Sequence, residues 1–198
     1  MATPYRLRQL ELREEAILDA AHSLLGRLGY EEMTMDAVAA EVGIAKASLY
    51  KHFPSKERLA ARTMTRLFER TVAKMQAIDA TLPAGEKLRA MLEWVLHERL
   101  RGSIPHLPAT NGALEQGLMT DENYLAALFT LNAAMSSLVD QAKDEGALSK
   151  ALPPDYIVTA IYARSCDPTL DYMKRGNSYS GEEIVRYMVQ AFFSGVAP

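Results

Sequence analysis

The sequence predicts an all-α fold, and three observations support it. No stretch alternates apolar and polar residues with period two for long enough to make a convincing strand. Glycine and proline cut the chain into about nine segments of helical length. Within those segments the apolar residues return three and four positions apart, which places them on one side of a helix.

The first helix is expected from about Leu10 to Leu28, with Ile17, Ala21, Leu24, Leu25 and Leu28 on one face and Gly29 closing it. Tyr30 then reads as a core aromatic. Arg6, Arg8 and Arg13 make a basic arm before and along this helix.

The next 23 residues, TMDAVAAEVGIAKASLYKHFPSK, carry the most information in the chain. Thr34 sits where a helix wants a side-chain oxygen for its free amides, and Asp36 brings a carboxylate to the positive first turn. Val38, Ala39 and Val42 form a small apolar face. Gly43 follows as the residue able to take positive φ at a helix end, and Ile44 pins the turn to the core. A second short helix runs from about Ala45 to Phe53, with Leu49 and Phe53 pointing inward and Lys46, Ser48, Tyr50, Lys51 and His52 left outside. Pro54 stops it, and Ser55 caps a new helix from Lys56.

Two short helices joined by a glycine turn have the geometry of a DNA-reading helix-turn-helix. Lys46 and Ser48 lie in the first turn of the second helix, where side chains reach base edges; Tyr50, Lys51 and His52 can donate to phosphate oxygens. Lys56 joins a cation to the free amides of a helix start. The residues expected to contact DNA are Thr34, Met35, Lys46, Ala47, Ser48, Tyr50, Lys51, His52 and Lys56. The plainer reading of the same stretch is a helical hairpin with a solvated polar face, and of the arginine arm a solvated terminus.

A fourth helix from Lys56 to about Ala80 is too long to belong only to a small head and reads as the connector between two domains. Arg58, Arg62, Arg66, Arg70 and Lys74 recur every fourth residue, a spacing that drifts about 40° per step on a 3.6-residue helix. The row therefore reads mainly as a solvated stripe, with Arg58 and Arg62 the two nearest to DNA. Leu59, Met64, Leu67, Phe68 and Met75 face protein. Further helices follow over Glu86 to Leu100, Gly112 to Leu118 and Glu122 to Glu145, the first two separated by a proline-bearing loop from Gly102 to Pro108. The last two are expected over Pro154 to Met173 and Gly181 to Ser194. Their apolar arcs are wider than one core neighbour requires, so two helices from each of two chains can form a symmetric four-helix interface. Closure of the monomer core is the alternative.

The chain of 198 residues carries a net charge of −3, unevenly placed. Residues 1–75 hold 12 Lys and Arg against 10 Asp and Glu, whereas 76–198 hold 10 against 15, so the basic end is the end with the motif. The charged start and the lack of about 18 consecutive apolar residues argue against a signal peptide or a membrane span, and the expected location is the cytoplasm. The single cysteine, Cys166, cannot form an internal disulfide and reads as a small buried hydrophobe. Glu93 and His97 stand four apart, but a di-iron bundle uses Glu-x-x-His in two copies; His22, His52, His97 and His106 lack zinc-ligand spacing. There is no phosphate-cradling glycine motif and no Gly-x-Ser-x-Gly elbow, so no catalytic residue, metal or cofactor is expected.

The order of Ala39, Gly43, Ile44, Leu49, Tyr50, His52, Phe53 and Lys56 resembles the amino-terminal domain of the TetR family of transcriptional regulators. The segments EGALSKALPPDYI and SGEEIVRYMVQAFFSG resemble, less specifically, that family's dimerising end. The resemblance implies a three-helix DNA-binding domain over residues 1–55 and a ligand-binding and dimerisation domain over 56–198. It further implies a homodimer on a palindromic double-stranded operator, released by a small molecule bound in the body. A repressor is the default, with activation or co-repression as variants. The rival class is a helical ligand-binding or protein-interaction module without DNA binding. By side-chain character Met91, Trp94, Met119, Tyr124, Phe129 and Met135 suit a neutral apolar or aromatic ligand, with His97 and Asn132 as polar handles. Two positions depart from the family pattern: Ala45 stands where a hydroxyl commonly caps the recognition helix, and Ala47 where glycine or proline is frequent. The missing cap costs about 1 kcal/mol.

Overall fold

A computed structural model describes residues 4–105 and 111–197. Every regular element among them is a helix, as expected. Ten occur: α1 (Pro4–Glu32), α2 (Met35–Val42), α3 (Lys46–His52), α4 (Lys56–Gln76), α5 (Ala84–Leu100), α6 (Gly112–Met119), α7 (Glu122–Asp144), α8 (Pro154–Ser165), α9 (Thr169–Arg175) and α10 (Gly181–Val196). None is long and apolar enough to cross a membrane. The side chain of Arg6, the last part of the proline-bearing loop and His106 lie outside the described residues.

The expected helix from Pro154 to Met173 is two helices. Pro168 has no N–H to give a continuing ladder, and the chain breaks over Cys166–Pro168 before α9 starts. Asp167 Oδ1 accepts the Thr169 N–H at 2.8 Å. Burial pushes the Asp167 carboxyl up, but that hydrogen bond, the Thr169 hydroxyl, Arg164 and Arg99 together hold it below the ordinary value. Cys166 is exposed, contrary to the expected burial, because it lies in this break.

The chain divides into two compact units. The first joins 1–67 to 102–127, and the second joins 68–101 to 128–198. The first therefore contains more than the 1–55 segment read from the sequence: the opening turns of α4 and all of α6 belong to it.

In the first unit Ile17, Leu18, Ala21, Leu24 and Leu25 of α1 are buried together with Val38, Leu49 and Leu59. Gly29, at φ 78, ends the regular part of α1 where the sequence placed its stop. Three members of the arginine row of α4 are paired with carboxylates, while Arg70 and Lys74 are exposed. Arg66 meets Glu15 at 2.9 Å and Asp19 at 2.7 Å, with its own side chain only 14% exposed. Arg62 lies 3.9 Å from Glu14, and Arg58 pairs at 2.9 Å with the buried carboxylate of Asp121. The carboxylates come from α1 and from the α6–α7 junction, a pairing that periodicity along α4 alone does not show. Thr63 and Thr65 are buried because their hydroxyls donate one turn back, to Leu59 O at 2.8 Å and Ala61 O at 2.9 Å.

The core of the second unit uses helical rows: Leu88, Leu92 and Leu96 of α5; Leu131, Met135 and Val139 of α7; Ile157 and Ile161 of α8; Ile184, Val185, Met188, Val189 and Phe193 of α10. Arg99 is buried and donates to Ser165 O at 2.5 Å and to Asp171 at 2.6 Å, which ties α5 to the end of α8 and the start of α9. The surplus apolar arcs read from α8 and α10 are largely spent here, because α10 packs on both α5 and α9 and α8 packs on α5. Outward on those two helices stand Asp155, Tyr156, Thr159 and Ala163 of α8, and Glu182, Arg186, Tyr187, Gln190, Ala191, Ser194 and Gly195 of α10.

Candidate nucleic-acid interface

The local chemistry of residues 34–56 builds the site. Thr34 Oγ1 accepts the Ala37 N–H at 3.1 Å and caps α2. Gly43 takes φ 75 and ψ 33, and its N–H returns to the carbonyls of Ala39 and Ala40. An L side chain is disfavoured there, which is why the turn needs glycine. Ile44 N donates to Ala39 O at 3.0 Å, and the chain re-enters helix at Lys46. Ala45 is extended at φ −67, ψ 140, the backbone of a helix cap, yet it offers no side-chain acceptor. Leu49 is 0% exposed and Phe53 5%, so the inner face of α3 is anchored.

With that face fixed, Lys46, Ala47, Tyr50 and Lys51 are exposed and Ser48 and His52 are half-buried. Tyr50 stands one turn after Lys46, on the same side. Thr34 and Asp36 are exposed beside them. Thr34, Asp36, Lys46, Tyr50, Ser55 and Lys56 all border one open groove of about 480 Å³. Met35, the first residue of α2 and one turn before the buried Val38 and Ala39, is only 7% exposed, yet it also lines this groove.

Two interactions at this surface have no signature in sequence spacing. Lys46 Nζ reaches back across the turn to Asp36, at 2.8 Å from Oδ1 and 2.9 Å from Oδ2. The hydrogen bond, then the charge of Asp36, raises the Lys46 pKa above the ordinary lysine value. At the start of α4, Lys56 Nζ donates to Glu31 O at 3.2 Å and sits 4.2 Å from the centre of the Tyr30 ring. The Tyr30 hydroxyl donates to Glu57 at 2.9 Å. Burial first, and the Glu57 carboxylate second, drive the Tyr30 pKa up. Glu57 is held below the ordinary carboxylate value, chiefly by its own backbone N–H at the helix start, with Ser55 and Tyr30 assisting against burial. Ser55 Oγ accepts the Arg58 N–H at 3.2 Å and caps α4. Lys56 is thus held by α1 as well as placed at the groove.

The residues expected to line a ligand pocket are not gathered so clearly. Met119 and Phe129 are exposed, by 50% and 67%, and do not have the burial that a pocket wall requires. Met119 and Tyr124 belong to the first unit; Met91, Trp94, His97, Phe129, Asn132 and Met135 belong to the second. Met91, Tyr124 and Met135 are buried and Trp94 is half-buried. Asn132 Oδ1 accepts the Tyr162 hydroxyl at 3.0 Å, and burial raises the Tyr162 pKa to about 12. His97 borders a shallow groove of about 290 Å³ with Glu93, Glu182 and Glu183, and its Nε2 lies 3.7 Å from Glu182. That groove is open and acidic, not an apolar interior. No group of three or more metal-ligating side chains occurs among the described residues.

Residues 17–63 match the family model for bacterial regulatory proteins, tetR family, a span that takes in the capped α2, the Gly43 turn and α3. The HTH-type transcriptional repressor KstR of Mycolicibacterium smegmatis is 42% identical over 62 residues, covering 31% of this chain and 30% of that repressor. The KstR of Mycobacterium tuberculosis is 30% identical over 131 residues, 66% of this chain and 53% of that protein. The chain thus spans between about a third and a half of the length of these curated relatives. Among solved structures, the fatty acid degradation regulator FadR from Bacillus halodurans aligns over 98% of this chain and 97% of its own, with TM-score 0.71 and 17% identity. FadR from Bacillus subtilis, solved in complex with stearoyl-CoA, aligns over 92% and 98% with TM-score 0.63 and 15% identity. At such identities the likeness speaks for the fold, while the matched head carries the sequence signal. Together, the glycine turn between two short helices, the first of them capped by Thr34, the polar outer edge of α3 and the matches over that same stretch lead to one assignment: residues 17–63 form a domain of the tetR family of bacterial regulatory proteins.

Proposed function

We propose that this protein is a sequence-specific DNA-binding repressor that acts in the cytoplasm as a homodimer and leaves its operator when a small molecule binds its body. The observation that carries the reading is the outer edge of α3: Lys46, Tyr50 and Lys51 face outward, donor-rich, with the half-buried Ser48 beside them, from a helix whose inner face is locked by Leu49 and Phe53. Lys46 and Ser48 are placed to meet base edges, and Thr34, Tyr50, Lys51, His52 and Lys56 to donate to phosphates. Met35 borders the same groove from the start of α2.

One helix-turn-helix meets only a few base pairs, so specificity calls for two heads about 34 Å apart on one face of the duplex. The outward faces of α8 and α10 suit a twofold contact: Ala163, Ala191 and Gly195 permit close helix approach, and Tyr156 and Tyr187 supply area. Residues 1–55 form the reader in this account, and 56–198 the ligand-binding and dimerising part. A ligand that prefers the DNA-incompetent arrangement lowers operator affinity by the ratio of its affinities for the two arrangements. The buried Met91 and half-buried Trp94 of α5 favour an apolar or aromatic ligand. The Bacillus subtilis neighbour is solved with stearoyl-CoA, whose acyl chain is apolar and whose CoA moiety is anionic.

Anisotropy titration of a labelled duplex pool tests the reading. Binding that weakens linearly with log salt supports it. A protein with no affinity for any duplex at low salt belongs instead to the class of helical modules that do not bind DNA.

A further inference from the structure

The most unexpected group on the outer surface of the head is a carboxylate. Asp36 has a side chain 65% exposed at the groove bordered by Thr34, Lys46 and Tyr50, where a polyanion would dock. The turn does not depend on it, since Thr34 caps α2 and Gly43 closes it. Its two oxygens hold the Lys46 ammonium at 2.8 and 2.9 Å, with Lys46 still 55% exposed. The result is a donor and an acceptor side by side and open to solvent, the donor in the first turn of the helix that would enter the groove and the acceptor on the helix before it.

We propose that Asp36 and Lys46 together read one G·C base pair in each half-site, Lys46 donating to guanine and Asp36 accepting from the paired cytosine. The proposal rests on the DNA-binding reading above. In the major groove guanine offers the N7 and O6 acceptors and cytosine the N4 amine, in that order across the pair. An ammonium over N7 and O6 and a carboxylate over N4 match that order. An A·T pair in the same place sets the adenine N6 amine against the ammonium and the thymine O4 against the carboxylate. Away from such a pair, Lys46 must leave Asp36 to reach a phosphate, and Asp36 repels that phosphate. The same pair thereby favours one base pair and weakens contact with sequence at large.

Selection of half-sites from a randomised duplex pool with the full chain, the Asp36→Asn variant and the Lys46→Gln variant tests this. The unaltered protein should favour G·C at one position of each half-site by about tenfold. Both variants should lose that preference, to below about twofold, at that same position and keep the others. Asp36→Asn should also steepen the log–log salt dependence on random duplex by about one, because Lys46 is freed for a phosphate. Binding to random duplex also shows that the variants remain folded. Unchanged preferences in Asp36→Asn, or losses at different positions in the two variants, overturn the proposal while leaving DNA binding intact. An unaltered protein that selects no sequence and binds no duplex overturns the DNA-binding reading, and this proposal with it.

Discussion

At the scale of single residues, the division of labour on α3 follows from which groups are fixed and which are free to donate. Tyr50 is 42% exposed and Lys46 stands in the first turn of α3; in the proposed reading the first donates to a phosphate and the second meets base edges. Tyr50→Phe is expected to weaken every duplex by a similar factor, about fivefold for the loss of roughly 1 kcal/mol of hydrogen bonding. Lys46→Ala is expected to relax discrimination at one base position. Competition titrations with single-substituted half-sites separate the two, and equal losses across sites for both variants would refute the division. Lys56 is a mixed case: it is tied to Glu31 and Tyr30, so Lys56→Ala removes packing on α1 along with a phosphate donor. Thr34 as a cap, Gly43 as a left-handed turn and Leu49 as an anchor were all legible, because each is a local requirement of helix ends and periods. The burial of Met35, the Asp36–Lys46 pair and the Tyr30–Glu57 bond were not, since each depends on which way a neighbouring helix lies.

At the scale of elements, the two best-defined helix starts make opposite predictions. The start of α3 lacks a side-chain acceptor although Ala45 already has the backbone of a cap. Ala45→Ser should therefore stabilise the protein by about 1 kcal/mol in urea denaturation. A loss of stability would show that the exposed methyl has a role that the cap geometry does not reveal. The start of α10 is fully capped: Glu183 N donates to Ser180 Oγ at 3.2 Å, and Ser180 N and Oγ both donate to Glu183 Oε2 at 2.8 Å. The Ser180 backbone N–H, followed by its hydroxyl, holds the Glu183 pKa below the ordinary 4.5. A depressed carboxylate contributes stability in full above its unfolded value and loses it as the pH falls through the folded value. Glu183→Gln should accordingly be less stable than the unaltered chain near pH ~6, with the gap narrowing toward pH ~3. Parallel stability curves would contradict the box. Element existence was legible from periodicity and from glycine stops. The break between α8 and α9 was missed by extending an apolar period through Pro168, where the ladder loses a donor. The pairing of Arg58, Arg62 and Arg66 was missed for a different reason, because their partners lie on α1 and at the α6–α7 junction and not on α4 itself.

At the scale of the whole molecule, the reading stands on two features of unequal legibility. The head is specified by a short run of local rules and matches its family over 17–63. The body is specified by packing, so the sequence showed its helices without showing which apolar residues the core would consume. Ile184, Val185, Met188, Val189 and Phe193 of α10 are buried within one chain. Exposed on α8 and α10 are Tyr156 and Tyr187 together with small and charged residues, and the proposed twofold contact would use the first two kinds. The candidate pocket was obscured in the same way, with Met119 and Phe129 turning out to be exposed.

The most direct measurement is selection of duplexes from a randomised library by the full chain, with the protein's mass in the bound complex determined on the enriched sequence. The account predicts inverted repeats whose half-site centres lie about one helical turn apart, bound by pairs of chains, with enrichment abolished when Lys46, Ser48 and Tyr50 are all replaced by alanine. Failure to enrich any sequence, or the same enrichment in that triple variant, would contradict it.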